Sequence, residues 1–173
     1  SKEIIAVGNR AGQQFGIGEV VRYFFRPYLY LDEDKIAAAK LDLATVELAI
    51  ANAVTAIEGI NLAVSSRNFT RYEGNSLIQQ VQRNQHISRS GDIYVIQDPY
   101  WFLLEEGLIA VMHGSPWRYD THVPVIFSGP GIDAQHVDRT VHPVDVAPTI
   151  TLLLGMSPPA STQGTPLDEV VNR

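Results

Sequence analysis

The chain has 173 residues, of which 45% are hydrophobic and 18% charged, with a formal net charge of −6. That is enough for one folded domain with a real core, or one domain plus a small subdomain. The acidic balance without a basic stripe excludes a nucleic-acid duplex as partner, the lack of cysteine excludes disulfides and thiolate metal sites, and no apolar run reaches membrane-span length.

Ser1-Lys2-Glu3 is not a methionine start and carries no signal-peptide pattern, so the chain reads as a processed or excised piece of a longer protein. Residues 1–22 are punctuated by Gly8, Gly12, Gly16 and Gly18 and read as a loop or arm that packs on something else. Gly16-Ile17-Gly18 lacks the third glycine and the preceding strand of a dinucleotide loop. Tyr23 to Leu31 is aromatic-rich and reads as a strand interrupted at Pro27, which suits an edge or bulge.

Asp32 caps a short helical turn over 33–40, and Asp42 caps a stronger helix over roughly 43–57. Leu43, Val46, Ile50, Ala53, Val54 and Ile57 share one face of that helix, and Gly59 closes it in left-handed backbone. Ile60 to Ser65 follows as a strand, completing a strand–helix–strand unit with a right-handed crossover if its strands are parallel. Residues 66–74 form a polar connection, in which Asn68-Phe69-Thr70 matches a glycosylation sequon of the kind that arises by chance. A helix over roughly 75–85 and a strand from Asp92 to Gln97, broken by Asp98-Pro99, come next. Tyr100 to Val111 is apolar and aromatic, with helix and strand both open.

The stretch from Met112 to Gly131 is where chemistry gathers. His113 precedes Gly114, where the backbone can bend tightly; Asp120 and His122 follow in a polar turn. Val123 to Phe127 reads as a short buried strand closed by Ser128-Gly129-Pro130-Gly131. A histidine and a carboxylate at a strand end is a common site arrangement in α/β enzymes. Beyond it, 133–140 reads as a polar loop, Asp145 caps a helix over 146–154, Gly155 closes it, and 165–171 forms a short last segment.

Three blocks occur in order: Arg89-Ser90-Gly91-Asp92 leading into a strand; His113-Gly114-Ser115-Pro116-Trp117-Arg118-Tyr119-Asp120-Thr121-His122-Val123-Pro124; and Val144-Asp145-Val146-Ala147-Pro148-Thr149 before a Leu-rich helix. Together they resemble the C-terminal part of the alkaline phosphatase superfamily, in the branch of bacterial alkaline phosphatases related to type I phosphodiesterases and nucleotide pyrophosphatases. The resemblance spans roughly residues 23–170. It implies an α/β fold: a partial alkaline-phosphatase-like sheet with helices, plus a small strand–helix–strand cap subdomain. The expected division is an N-terminal arm over 1–22, the cap-like subdomain over 23–88, and the C-terminal segment of the catalytic α/β domain over 89–173.

The resemblance also implies two divalent metal ions, with zinc expected and manganese allowed by nitrogen and oxygen ligands, acting on a phosphate-ester or nucleotide substrate. His113 matches the family's metal-ligating histidine. The family's Thr or Ser nucleophile and its remaining ligands precede the strand–helix–strand unit and have no match here; Asp138 and His142 show an Asp-x-x-x-His spacing, but later in the chain than expected. The chain alone is therefore expected to hold no metal and to be inactive, while its parent is a phosphate-ester hydrolase, periplasmic or secreted by resemblance. The alternative is a non-catalytic α/β binding or assembly module. An exposed sheet edge and apolar face are expected to be covered by the 1–22 arm or by a second copy, as a homodimer.

Each candidate has a plainer reading. His113 is otherwise a turn histidine satisfied by hydrogen bonds. Asp120 either orients His113 or caps the turn. His122 reads first as structural, packed under the strand, while Ser115 and Trp117, like Asp120 and His122, are candidates for groups behind the ligand or for site walls. His86, His136 and His142 lie in polar segments. A Ser115-Asp120-His122 triad is set aside, because there is no nucleophile elbow and residues so close in sequence do not reach triad geometry. Gly129-Pro130-Gly131 reads as a turn rather than a dinucleotide loop, and Asp145 as a helix cap.

Overall fold

Why do residues 1–22 not form a loop? The computed structural model, which describes residues 1–86, 88–103 and 113–172, begins with a helix, α1, over Lys2–Gln13. The glycines that suggested a loop are contact points. A Cβ on Gly8 would lie 2.8 Å from Val21 Cγ2, and one on Gly12 would lie 2.5 Å from Val20 Cγ1. Glycine here lets the helix lie close against the strand that follows, which outweighs its poor helix propensity. Asn9 on the same helix accepts from the Val20 and Val21 amides at 2.9 and 2.7 Å. The arm does pack on the body, as expected, but as a helix.

The chain divides into two compact units, Ser1–His122 and Val123–Arg173. In the first, β1 (Val21–Phe25) and β2 (Tyr28–Leu31) form a hairpin turned at the cis Arg26–Pro27 bond. Next come α2 (Glu33–Ala38), α3 (Leu43–Thr55), β3 (Ile60–Ser65), a 3-10 segment (Ser66–Tyr72), α4 (Ser76–Arg83), β4 (Ile93–Gln97) and a single helical turn, α5 (Arg118–Thr121). The caps at Asp32 and Asp42 are as expected: their carboxylates accept from the amides of Lys35 and Thr45. Asn75 caps α4.

The sheet has four strands in the order β1-β2-β4-β3, with every neighbouring pair antiparallel. β2 and β3 therefore run parallel to each other but do not touch, because β4 lies between them. The expected strand–helix–strand unit exists in this split form. Four of β4's five residues are buried and they alternate between two cores. Ile93 and Val95 join Val46, Ile50 and Val54 of α3 on one face. Tyr94 and Ile96 join Val64, Ile78 and Val81 on the other. Both faces of the sheet are thus covered, which gives helix, sheet and helix layers around a central strand.

At the start of β4 lies a charged cluster centred on a buried carboxylate. Glu47, on α3, is 0% exposed. Its carboxylate accepts from Ser65 Oγ at 2.5 Å and from Arg67 Nη1. The same guanidinium reaches Glu33 at 3.1 Å and Asp92 at 3.6 Å, and Asp92 accepts from the Leu31 amide at 2.7 Å. Burial pushes the Glu47 carboxyl up to about 7, against the Ser65 hydroxyl and the Arg67 charge, which hold it down. Asn68 spends its side-chain amide on Ala44 O and Ser65 Oγ, so the sequon asparagine is tied into this cluster.

The second unit holds a 3-10 turn (Pro143–Asp145), α6 (Val146–Leu153) and α7 (Asp168–Val171). Asp145 is not the side-chain cap expected for α6. Its carboxylate accepts from the amides of His142 and Thr165, both at 2.8 Å, and makes no side-chain cap bond to α6. Those two amides hold its carboxyl below the ordinary range. The buried hydroxyl of Thr149 donates to Asp145 O and accepts from the Leu167 amide. Gly164 passes so close that a Cβ there would meet Val144 O at 2.0 Å. The expected strand at 123–127 is not formed: this stretch is irregular, with Val123 57% and Ile126 82% exposed. Apolar β-branched residues suit a strand, but among the described residues no strand of 123–172 is available to pair with them.

Glu47 sets a pH dependence. Its folded value, about 7, lies above the ordinary 4.5, so the folded state binds the proton more tightly. The stabilisation is complete below the unfolded value and is lost as pH rises through the folded one, on the order of 3 kcal/mol if the full shift is expressed. Denaturant midpoints should therefore fall as pH rises from about 4.5 to about 7 and level off above that, and Glu47→Gln should flatten that slope. An unchanged slope in the variant would refute the assignment.

Candidate functional site

β4 ends at Gln97, and Asp98-Pro99 turns the chain into Tyr100, Trp101 and Phe102. The chain returns at His113. Gly114 takes φ +105°, a left-handed turn open to glycine, and Ser115 goes inward. Asp120, on α5, ties this turn together: it accepts from the Ser115 amide at 2.9 Å and the Ser115 hydroxyl at 2.5 Å, both on Oδ2. Burial pushes the Asp120 carboxyl up, but the Ser115 hydroxyl and amide, the Gly114 amide and His113 leave it below its ordinary value. Of the two roles expected for Asp120, the turn-holding one is in place.

His113 is exposed and lines a cavity of about 130 Å³ with Gln97, Tyr100, Trp101, Phe102, Tyr119 and Asp120. It therefore stands beside the C-terminal end of a central strand rather than in the hydrophobic interior. Trp117 is half-buried, donates Nε1 to Gln97 O at 2.8 Å and packs on the core around Tyr94 and Ile96. It anchors the turn to the end of β4. His122 is exposed at the C-terminus of α5, and since no strand forms at 123–127, it does not pack under one there. Ser115, Asp120 and His122 form no triad, since the Ser115 hydroxyl donates to Asp120 rather than to an imidazole. His86, His136 and His142 are exposed, and His136 lies 3.3 Å from Asp138. Asp138 itself is exposed. Among the described residues, no group of three or more His, Asp or Glu side chains is arranged to hold a metal ion.

Sequence reasoning missed the pairing of Tyr100 with Tyr119. Their rings stack at 5.0 Å and 17°, and the Tyr119 hydroxyl accepts from the Tyr100 amide at 3.0 Å. The signal was the aromatic run right after the Asp98-Pro99 break, but its partner lies nineteen residues on. Gly59 also belongs here. At φ +83°, a Cβ on it would sit 2.2 Å from Trp101 Cε3, so glycine makes room for that ring. The rest of the Tyr100–Val111 stretch, left open between helix and strand, lies at 104–111 outside the described residues.

No family model matches the chain. Of curated proteins, a calcium-transporting ATPase of Myroides odoratus is 26% identical over 172 residues, covering 96% of this chain and 31% of that protein. Alkaline phosphatase PhoV of Synechococcus elongatus is 30% identical over 139 residues, covering 77% of this chain and 24% of that protein. The crystal structure of the wild-type alkaline phosphatase PafA superposes with a TM-score of 0.82 at 25% identity, covering 98% of this chain and 32% of that one. The chain belongs to the alkaline phosphatase superfamily, as a C-terminal part. It spans about a third or less of the length of these relatives. The α/β fold expected from that superfamily is present, and its sheet in this part is small and antiparallel. Among the described residues, no helix is long and apolar enough to cross a membrane.

Asp120→Ala would strip the inward-facing Ser115 of its acceptor for both amide and hydroxyl, at a cost of about 1–3 kcal/mol. Ser115→Ala removes only the hydroxyl bond and should cost about 1 kcal/mol. Thermal or chemical denaturation ranks the two, and an equal loss would show that Asp120 does not hold the turn.

Proposed function

We propose that this chain is the C-terminal portion of a metal-dependent phosphate-ester hydrolase, and that His113 is one of the metal ligands. The observation that carries the proposal is the near-complete superposition on PafA, an alkaline phosphatase, together with an exposed imidazole at the end of a central strand. The names of the relatives share phosphorus–oxygen bond cleavage: a phosphatase hydrolyses an ester and an ATPase an anhydride.

A neutral imidazole on a rigid turn suits zinc or another divalent ion as one ligand of a set. The described residues do not supply a complete set. When bound, a pair of such ions would hold the attacking and leaving oxygens of a phosphoryl group. What this chain does is position. Trp117 pins the turn to Gln97, Gly114 bends it, and Asp120 fixes it through Ser115. His113 then presents its ring to the cavity mouth rather than into the core. Zinc as the metal, phosphodiester as against monoester cleavage, and a periplasmic or secreted location follow the family resemblance. So do a cap role for 23–88 and a catalytic-domain role for 89–173. A homodimer of the isolated chain is part of the same proposal: Phe25 on edge strand β1 and Leu154 beside α6 are exposed apolar residues that a second copy would cover.

By itself the chain is not a phosphatase, because one histidine does not hold a catalytic ion. Calorimetric titration of the chain with zinc should show weak binding only, and tight stoichiometric uptake would refute the incomplete site. In a protein of the relatives' full length, His113→Ala should lower both metal content and phosphate-ester hydrolysis, the latter by more than about a hundredfold. Full activity with full metal content in that variant would remove His113 from the ligand set.

A further inference from the structure

Three exposed aromatic side chains beside His113 are held where solvent alone gives no reason to hold them. Tyr100 is 86% exposed, yet its backbone takes φ +66°, a conformation that a residue with a bulky side chain adopts only when its surroundings enforce it. The enforcement is visible. The Tyr100 amide donates to the Tyr119 hydroxyl, the two rings stack, and the next residue's amide, that of Trp101, donates to Asp98 O at 3.1 Å. Trp101 is half exposed, with its ring lying against Gly59. The result is a fixed wall of π-faces rather than a collapsed apolar patch.

The cavity behind this wall measures about 130 Å³. A cavity of roughly 150 Å³ takes up one benzene ring, so this space admits a single planar ring. Its polar side selects further. The Asp120 carboxylate lines the cavity and repels an anion. A phosphate group therefore does not belong in the cavity. It belongs outside, on the His113 edge, while a neutral ring enters between Tyr100, Trp101 and Phe102.

We infer that this cavity is a leaving-group subsite for phosphate esters whose alcohol carries one uncharged aromatic ring. The assignment rests on the phosphate-ester reading above for the reaction, and on the cavity alone for the ring. Stacking on aromatic side chains supplies the preference, and Asp120 turns away rings that carry a negative charge.

The test uses the 173-residue chain and four probes: phenol, phenyl phosphate, methyl phosphate and 4-carboxyphenyl phosphate. The NMR shifts of the Tyr100, Tyr119 and Trp101 ring protons report binding. Phenol and phenyl phosphate should shift all three rings, methyl phosphate should leave them unmoved at the same concentration, and 4-carboxyphenyl phosphate should bind more weakly than phenyl phosphate. Tyr100→Ala should weaken both ring-bearing probes by roughly tenfold, and Asp120→Asn should recover the carboxylated one. Tyr100 is exposed, so its replacement leaves the core intact. Methyl phosphate binding as well as phenyl phosphate, or unchanged affinity in Tyr100→Ala, would overturn the subsite. In the full-length protein, hydrolysis of phenyl and methyl phosphate at equal kcat/KM would overturn the subsite alone. Ring-dependent shifts with no hydrolysis of either ester would instead overturn the phosphate-ester reading, and the leaving-group assignment with it.

Discussion

A strand buried on both faces must find a hydrogen-bonding neighbour on each side and a helix layer above and below. β4 is that strand. Its backbone is satisfied only between β2 and β3, and Ile93, Tyr94, Val95 and Ile96 alternate between two cores that cannot form without it. The strand comes last in the sheet's sequence order yet lies near its middle. The hairpin, the α3 layer and the α4 layer are therefore all fixed by the same five residues, Ile93–Gln97.

The two ends of β4 do different work. Ahead of its first residue, Asp92 joins Arg67, Glu47 and Glu33 in a cluster in which Glu47 and Asp92 are out of water while Arg67 and Glu33 keep contact with it. Buried ion pairs of this kind are poor sources of net stability, because desolvation consumes most of the Coulombic gain. What the cluster does is tie α2, α3, the end of β3 and the start of β4 to a single guanidinium. At the far end, Gln97 offers its carbonyl to Trp117, and the turn carrying His113 is hung from that bond. A displacement of β4 would thus move the candidate ligand directly, whereas the charged cluster lies at the other end of the strand.

The candidate site itself is built from local turn chemistry laid over this scaffold. Gly114 gives the bend, Ser115 goes inward, and Asp120 accepts both of its donors. None of these residues needs to touch a substrate to matter, since each decides where the His113 ring stands. The aromatic wall of Tyr100, Trp101 and Tyr119 adds a second, apolar component next to that ring. Membership of the alkaline phosphatase superfamily gives this arrangement a chemical setting, and the chain spans about a third or less of the length of its relatives.

The caps at Asp32 and Asp42, the α3 face, the strands at 60–65 and 93–97 and the break at Pro27 were all legible in the residues, because each depends on neighbours within a few positions. The His-Gly block was legible for the same reason: its members share one turn. The helix at residues 2–13 was not, because Gly8 and Gly12 look like loop residues until Val20 and Val21 are seen pressing on them. The strand expected at 123–127 failed in the opposite way, since an apolar run reports burial or pairing only if a partner exists. Glu47 sat unnoticed on an apolar helix face because its partners, Ser65 and Arg67, come from eighteen and twenty residues away. The sequence by itself therefore determined most elements between β1 and β4, the caps at Asp32 and Asp42, and the kinship. Only the tertiary structure decided which strand stands in the middle, which charges are buried and which rings line the space beside His113, because those depend on contacts between residues far apart in the chain.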